Sequence, residues 1–177
     1  PLNSPPVANA GIDQEVEQTS AAGTIVPLNG GGSTDPDSTN PPAMDDDIAT
    51  YEWVENGVVL GSGKTLQVQL SGGSHGIVLT VTDRAGMTST DTVAIAVLDR
   101  TAPALTVPPT FIAEATSAAG AAVNFLEATA TDAVTTAPAI TYLPARGAQF
   151  PLGTTEVAVT ATDAAGNSAT GSFLVRV

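Results

Sequence analysis

Aspartates at turns are the side chains of this chain whose types and spacing could do chemistry. Asp35 and Asp37 lie in a long loop rich in glycine and proline, and Asp83 and Asp163 each open an Asp-x-x-Gly turn. Ca²⁺ takes about six to eight oxygen ligands in irregular geometry, so loop carboxylates suit it better than Mg²⁺, which needs stricter octahedral order. If these turns meet in the fold, the sequence predicts calcium-binding sites there.

The two Asp-x-x-Gly turns belong to an internal repeat. Leu79–Gly86 (LTVTDRAG) recurs 80 residues later as Val159–Gly166 (VTATDAAG), and both copies continue into a second alternating stretch. A strand, a tight turn and a second strand form the closing hairpin of a β-sandwich, used here once per module. We therefore predict two tandem modules, residues 1–98 and 99–177.

The remaining elements are predicted to be short strands. Residues alternate between apolar and polar over Ile48–Val54 and Thr65–Leu70, Asn56-Gly57 is typical of a two-residue hairpin turn, and helical spacing is nowhere sustained. The expected fold class is all-β, with two immunoglobulin-like antiparallel β-sandwiches in tandem. Further strands are predicted at residues 7–10, 24–28, 77–81, 93–97, 105–107, 111–115, 123–130, 140–143, 155–162 and 172–177.

Such a sandwich brings the N-terminal segment, the loop between the second and third strands and the last hairpin to one end. The predicted metal ligands are Asn3, Asp35, Asp37 and Asp83 in the first module, with Asp45 to Asp47 as further candidates, and Asp99, Asp132 and Asp163 in the second. The second set would lie at the joint between the modules, where an ion would restrict the angle. The alternative is that these aspartates are turn residues whose carboxylates bond their own backbone.

Composition narrows the range of partners. The net charge is −13, from 18 acids and 5 bases, which repels nucleic acid and anionic membranes and attracts cations. No apolar run approaches the roughly 20 residues that span a bilayer. No signal peptide is visible, and the chain begins in a proline-rich segment, as an excised fragment would. Because cysteine is absent, bound metal is a candidate for stabilising two small cores.

The one match to a catalytic motif lacks the structural context that the motif needs. Gly72–Gly76 matches Gly-x-Ser-x-Gly, but a nucleophile elbow needs a helix after it, and a β-run follows here. His75, which adjoins Ser74, is the only histidine, so the serine has no separate base. We predict that the chain is not an enzyme and that His75 has a packing role.

Trp53 distinguishes two kinds of module. The alternation places Tyr51 and Trp53 on one face, and Trp53 is most simply the core tryptophan of an immunoglobulin-like sandwich. If that face were exposed, it would instead be a platform for sugar rings. The accessibility of Tyr51, Trp53 and Tyr142 therefore separates the two interpretations.

The first module resembles a polycystic kidney disease (PKD) domain. The resemblance rests on Pro6–Gln14, Ser33–Asp37, Tyr51–Trp53 and Leu79–Asp83, in that order. It departs from the family after Trp53, where Val54–Gly57 replaces the usual Asp-Phe-Gly-Asp-Gly. PKD modules of secreted hydrolases often bind calcium at one end, and the resemblance implies this role for Asn3, Asp35, Asp37 and Asp83.

The second module resembles a hyalin repeat (HYR) domain. The matching stretches are Asp99–Pro103, Glu114–Gly120, Ala128–Asp132, Phe150–Thr155 and Ala161–Asn167. Tyr142 and Val159 stand where many members have two cysteines, which implies an apolar contact in place of a cross-link. Both families imply an extracellular module of an adhesion protein, a cell-surface protein or a secreted hydrolase.

The expected function is that of a non-catalytic, calcium-stabilised spacer or adhesion segment of a larger bacterial protein, secreted or on the cell surface. The alternative is a carbohydrate-binding accessory module of a secreted polysaccharide hydrolase. The expected partners are neighbouring domains of the parent chain and a cell-surface protein or polysaccharide. Binding to nucleic acid and insertion into membranes are not expected.

Overall fold

The computed structural model describes residues 2–38 and 47–177, and every regular element in these ranges is a β-strand. The all-β fold class is therefore confirmed. The chain divides into two compact units, Pro1–Asp99 and Arg100–Val177, one residue after the predicted boundary. Among the described residues no helix is long and apolar enough to cross a membrane.

The first unit has two sheets. Its strands are β1 (Gln14–Glu17), β2 (Thr24–Asn29), β3 (Ile48–Glu55), β4 (Val58–Ser62), β5 (Thr65–Leu70), β6 (Gly73–Asp83) and β7 (Thr88–Leu98). One sheet has the order β1, β7, β6, β3, β4, with β1 parallel to β7 and the other neighbours antiparallel, and β2 pairs with β5 in a second sheet.

The two sheets of the first unit enclose one apolar core around Trp53. Val26 of β2 and Leu70 of β5 share a cluster with Leu79 and Ile95 of the larger sheet. Trp53 is fully buried, and its indole N–H donates to the carbonyl of Gly63 at 2.9 Å. The alternation of apolar residues predicted for these strands therefore builds a sandwich core.

Two local predictions for the first unit have different outcomes. The Asn56-Gly57 turn is confirmed, with φ of 49° and 80°, the left-handed pair that a tight hairpin needs. The strand predicted at residues 7–10 is wrong, since only an isolated bridge joins Val7 to Thr34. The physical reason is that side chains from β7 accept the backbone N–H groups of Ala8 and Ala10, so no ladder forms there.

The second unit has one larger sheet and two strand pairs. Its strands are β8 (Ala104–Thr106), β9 (Phe111–Ile112), β10 (Ala121–Ala122), β11 (Thr129–Thr131), β12 (Ala139–Leu143), β13 (Gln149–Phe150), β14 (Thr154–Thr162) and β15 (Ser168–Arg176). The larger sheet has the order β12, β14, β15, β9, while β8 pairs with β11 and β10 with β13.

Aromatic rings replace the tryptophan in the core of the second unit. The Phe125 ring centroid lies 4.9 Å from that of Phe173, 5.3 Å from Tyr142 and 6.2 Å from Phe150. Tyr142 lies directly opposite Val159 across β12 and β14, where the HYR resemblance implied an apolar contact. A continuous strand over residues 123–130 was wrong: Val123 and Phe125 are apolar because they fill the core, and ladder pairing is confined to β10 and β11.

Candidate functional site

Three separate stretches of the first unit meet beside Asp83, at the end of β6. Mutual backbone hydrogen bonds between Val7 and Thr34, at 2.7 and 3.0 Å, hold the N-terminal segment against the loop that contains Asp35. The Arg84 N–H donates to the carbonyl of Asp47 at 3.0 Å, which fixes the start of β3 beside the last hairpin. The predicted convergence of these three stretches therefore occurs.

The four predicted ligands of the first module are linked by hydrogen bonds. The Asn3 side-chain amide donates to Asp83 Oδ2 at 2.7 Å. The Ser4 backbone N–H donates to Asp37 Oδ2, and the Asp37 N–H donates to Asp35 Oδ1 at 2.8 Å. Asp37 and Asp83, which lie 46 residues apart in sequence, are thus connected to one N-terminal segment.

Asp35 has one carboxylate oxygen that lacks a hydrogen-bond partner. Its side chain is fully buried, and Oδ2 receives no donor while Oδ1 holds the Asp37 N–H. The hydroxyl of Ser38, in the same loop, is also buried without a partner. Because nearly all buried polar atoms have a partner, and leaving one without a partner is unfavourable, this oxygen is an exception among the buried polar atoms of the unit.

Asp47 adds a fourth carboxylate to this group. Burial, followed by repulsion from Asp35 and Asp83, raises the pKa of Asp47, and the Arg84 guanidinium opposes the shift. Arg84 Nε lies 3.7 Å from Asp47 Oδ1 on a largely exposed side chain, where an ion pair contributes little. The group therefore has a surplus of negative charge. Asp45 and Asp46, the other candidates in that run, lie outside the described residues.

Hydrogen bonds keep Asp83 ionised. Burial by itself would raise the pKa of Asp83, but donors from the Asn3 side chain and from the backbone of Met87, Ala85 and Gly86 outweigh it and hold the pKa below its ordinary value. We call Asn3, Asp35, Asp37, Asp47 and Asp83 the acidic cluster.

The acidic cluster offers only oxygen ligands, and the donor set is suited to a hard cation such as Ca²⁺. Among residues 2–38 and 47–177, no three histidine, cysteine or acidic side chains already stand in a metal-holding arrangement. Ligation would require Asn3 to turn its amide oxygen, instead of its NH₂ group, towards Asp83. Because Asn3 is exposed, this rotation is unobstructed by the core.

The aspartates of the second unit are held by their own turns, as the alternative interpretation predicted. The backbone N–H of Asn167 donates to Asp163 Oδ1 at 2.8 Å, and the Asn167 side-chain amide donates to Oδ2 at 2.9 Å. Burial would raise the pKa of Asp163, but these Asn167 bonds and those of the turn amides lower it. Asp132 Oδ1 accepts the backbone N–H groups of Val134 and Thr135 at 2.8 and 2.7 Å.

The predicted set of Asp99, Asp132 and Asp163 spans the boundary between the units. Asp99 is the last residue of the first unit, and the other two belong to the second. A metal site formed by these three residues stays a prediction.

The aromatic residues that a sugar-binding face would need are engaged in packing. Trp53 is fully buried, and the half-buried Tyr51 packs against the same core. The Tyr142 hydroxyl accepts the Ala128 N–H at 2.9 Å while its ring lies against Phe125. These three side chains therefore form no exposed platform.

His75 has a structural role at the start of β6. Its Nδ1 lies 2.7 Å from Glu55 Oε1 and its Nε2 lies 2.9 Å from the carbonyl of Ser71, so the ring joins β3 to the turn before β6. A cavity of about 260 Å³ opens beside it, lined by Asp13, Ser74 and Ala94–Ala96 of β7. Since Ser74 lies within a strand, the elbow that its motif would need does not form.

Residues 98–177 match the family model of the HYR domain, and a comparison with curated proteins finds no match. Among solved structures, the PKD1 domain of Vibrio anguillarum Epp is 25% identical, covers 54% of this chain and 99% of its own, and has a TM-score of 0.37. A carbohydrate-binding module from the β-sandwich superfamily is 21% identical; the match covers 96% of this chain and 54% of that one, with a TM-score of 0.47. Drosophila N-cadherin EC1-4 is 12% identical; the match covers 98% of this chain and 49% of that one, with a TM-score of 0.44. The HYR match indicates a non-catalytic module of extracellular type.

Proposed function

We propose that this chain is a calcium-stabilised spacer or adhesion segment of a larger secreted or cell-surface protein, and that the acidic cluster of the first unit holds the ion. The observation that carries the proposal is the buried, unpartnered Oδ2 of Asp35 among the carboxylates of Asp37, Asp47 and Asp83. A divalent cation would compensate both the missing donor and the mutual repulsion.

Calcium suits this position better than magnesium for geometric reasons. The oxygens come from an N-terminal segment, a long loop and a hairpin, and such irregular donors fit the variable coordination of Ca²⁺ rather than the octahedron of Mg²⁺. The Ser38 hydroxyl and the Asn3 amide oxygen would add neutral ligands.

The proposed consequence is mechanical. Asn3 and Ser4 lead the chain into the first unit, and both already contact acidic side chains of its end. An ion shared by these groups would fix the direction in which the chain enters the sandwich, which is what a spacer must do to hold a neighbouring domain in place. No residue of the cluster would perform chemistry.

A thermal unfolding experiment tests the ion. Trp53 is the only tryptophan and lies in the core of the first unit, so its fluorescence reports the unfolding of that unit. At a calcium concentration about 100 times Kd the expected gain is about 2.7 kcal/mol, which raises Tm of a unit of this size by about 10–20 °C. Asp35→Asn should abolish most of the gain.

The matched control is Asp163→Asn in the second unit, which should leave the calcium gain reported by Trp53 unchanged. Circular dichroism in chelator establishes that each variant is folded. An identical Tm in calcium and in chelator for the wild-type protein would reject the proposal.

A further inference from the structure

The closing hairpins of the two units share a backbone but differ in one side chain. The Asp83 N–H donates to the carbonyl of Met87 at 3.0 Å, and the Met87 N–H donates to Asp83 Oδ1 at 2.8 Å. Asp163 and Asn167 make the same two bonds at 3.0 and 2.8 Å. The glycine of the turn has φ of 91° in the first unit and 95° in the second, so the two turns are equivalent.

The difference concerns the second carboxylate oxygen. In the second unit the side chain of Asn167 donates to Asp163 Oδ2 at 2.9 Å, which completes the carboxylate from within its own turn. The Met87 side chain has no hydrogen-bond donor and the residue is 41% exposed, so Asp83 Oδ2 takes its hydrogen bond from Asn3, 80 residues away. Only the second unit therefore satisfies its hairpin aspartate locally.

We infer that the residue four positions after the hairpin aspartate determines whether a unit depends on a divalent cation. Met87 gives Asp83 no local side-chain donor, so an ion has only the exposed Asn3 amide to displace, whereas the Asn167 amide takes the place of an ion at Asp163. This inference rests on the proposed function, because it specifies what selects between an ion-bound and an ion-free form of the same site.

The neighbouring loop of the second unit supports this assignment. Thr135 Oγ1 accepts the Ala164 N–H at 3.0 Å, so a neutral hydroxyl joins the Asp132 loop to the hairpin. In the first unit the corresponding end is occupied by the acidic cluster, with the unpartnered Asp35 oxygen among its members. In the second unit, hydrogen bonds therefore satisfy both the hairpin aspartate and the neighbouring loop, which are the two parts that would form an ion site.

A side-chain amide at position 87 should compete with the cation. Because the two turns have equivalent hydrogen bonds, the amide that Met87→Asn introduces should reach Asp83 Oδ2 as Asn167 reaches Asp163. In the wild-type protein a calcium ion has to displace only the exposed Asn3 amide from Asp83 Oδ2. In Met87→Asn it would also have to displace this second charge-assisted bond, which weakens its binding by about tenfold. The same bond should raise Tm of the first unit in the absence of the ion.

The test is a calcium titration of the full chain followed by Trp53 fluorescence, with thermal unfolding in chelator measured in parallel. The variants are Met87→Asn, the control Met87→Leu and the reciprocal Asn167→Leu. Met87→Leu introduces no side-chain hydrogen-bond donor. We expect Met87→Asn to bind calcium about tenfold more weakly and to melt higher in chelator, while Met87→Leu behaves as wild type. Asn167→Leu should lower the calorimetric Tm of the second unit and leave the calcium affinity of the first unchanged.

The opposite signs separate this mechanism from structural damage, which would lower both affinity and Tm. If the wild-type protein binds calcium and Met87→Asn binds it equally well, the role of position 87 is overturned while the calcium site stands. If the wild-type protein shows no calcium response, the proposed function and this inference both fail.

Discussion

In the first unit the hairpin aspartate, Asp83, receives a side-chain amide from Asn3, 80 residues away, whereas in the second unit Asp163 receives one from Asn167, four residues away. The distant partner ties three stretches of chain to one end of the sandwich and concentrates acids there. The local partner completes the hydrogen bonds of the Asp163 carboxylate within its own turn. The same hairpin therefore takes its second carboxylate partner from within the turn or from a distant segment, depending on a side chain outside the repeated LTVTD-like motif. Under the proposed function, the second arrangement is the one that takes part in a cation site.

The two sandwiches also share a turn at the end opposite these hairpins, where Gly23 lies against Leu70 and Gly120 against Phe150. Thr19–Gly23 and Thr116–Gly120 have the same sequence, TSAAG, and each closes a turn through a Ser–Gly bridge. In both turns the serine and threonine hydroxyls donate to the glycine carbonyl. Two sandwiches built on this common turn nevertheless differ at the acidic end.

The largest effect should come from disrupting the TSAAG turn that both units share. A Cβ at Gly23 would lie 1.8 Å from the carbonyl oxygen of Leu70, and one at Gly120 would lie 1.9 Å from that of Phe150. Gly23→Ala and Gly120→Ala should each cost about 2–4 kcal/mol, because backbone must move at a positive φ. Trp53 fluorescence should report the loss for Gly23→Ala, and calorimetry should report it for Gly120→Ala.

Glycines with similar φ but open space provide the controls. Gly153, with φ of +109°, and Gly73, with φ of +126°, have nothing within 4 Å of an added Cβ. Alanine at these positions should cost only about 1 kcal/mol from backbone strain. Equal losses of stability for Gly23→Ala and Gly73→Ala would show that the close packing of the TSAAG turn contributes nothing beyond backbone strain.

Local signals made much of this fold predictable. The Asp-x-x-Gly repeat, the alternation through Trp53 and the Asn56-Gly57 turn each depend on neighbouring residues, and the structure has all three. The N-terminal segment was mispredicted because its amides are taken by Ser89 and Asp91, 81 residues away, and no local pattern contains that information.

The acidic cluster was only partly predictable, because part of it depends on contacts between residues that are distant in sequence. Sandwich topology brought Asn3, Asp37 and Asp83 together, but the burial of the Asp35 oxygen and the charge on Asp47 depend on tertiary packing. One signal was present and unused: extending the repeat by a single residue sets Met87 against Asn167.

A smaller effect should come from the hydroxyl that joins loop and hairpin in the second unit. Thr135→Val removes the acceptor for the Ala164 N–H and should cost that unit about 1 kcal/mol. The control is Thr136→Val, at the exposed neighbouring residue, which should change little. Calorimetry measures both, and a calcium-dependent loss would contradict the view that this end works without an ion.

Removing one charge from the acidic cluster should sharpen the contrast in the first unit. Asp47→Asn should raise Tm of that unit in chelator, because burial and repulsion from Asp35 and Asp83 disfavour the Asp47 carboxylate. It should also reduce the calcium-induced gain, since one ligand charge is lost. The control is Glu52→Gln, on an exposed position of β3. A lower Tm for Asp47→Asn in chelator would show that the carboxylate stabilises the ion-free fold.

The smallest expected effect is a difference in pH dependence between the units in chelator. Asp83 and Asp163 have lowered pKa values, so each contributes stability that is present above the unfolded pKa, about 3.9, and is lost as the pH falls through the folded value. Asp47 has a raised pKa, so the folded first unit binds a proton more readily than its unfolded chain, and mild acid stabilises it. Tm of the first unit should therefore hold or rise as the pH approaches about 4 before it falls, while that of the second unit only falls.

Saturating calcium should remove the rise, because the cation takes the place of the proton on Asp47. Carboxyl carbon NMR titrations measure the three groups directly, and an Asp47 that titrates below Asp83 would contradict the charge surplus on which the comparison depends.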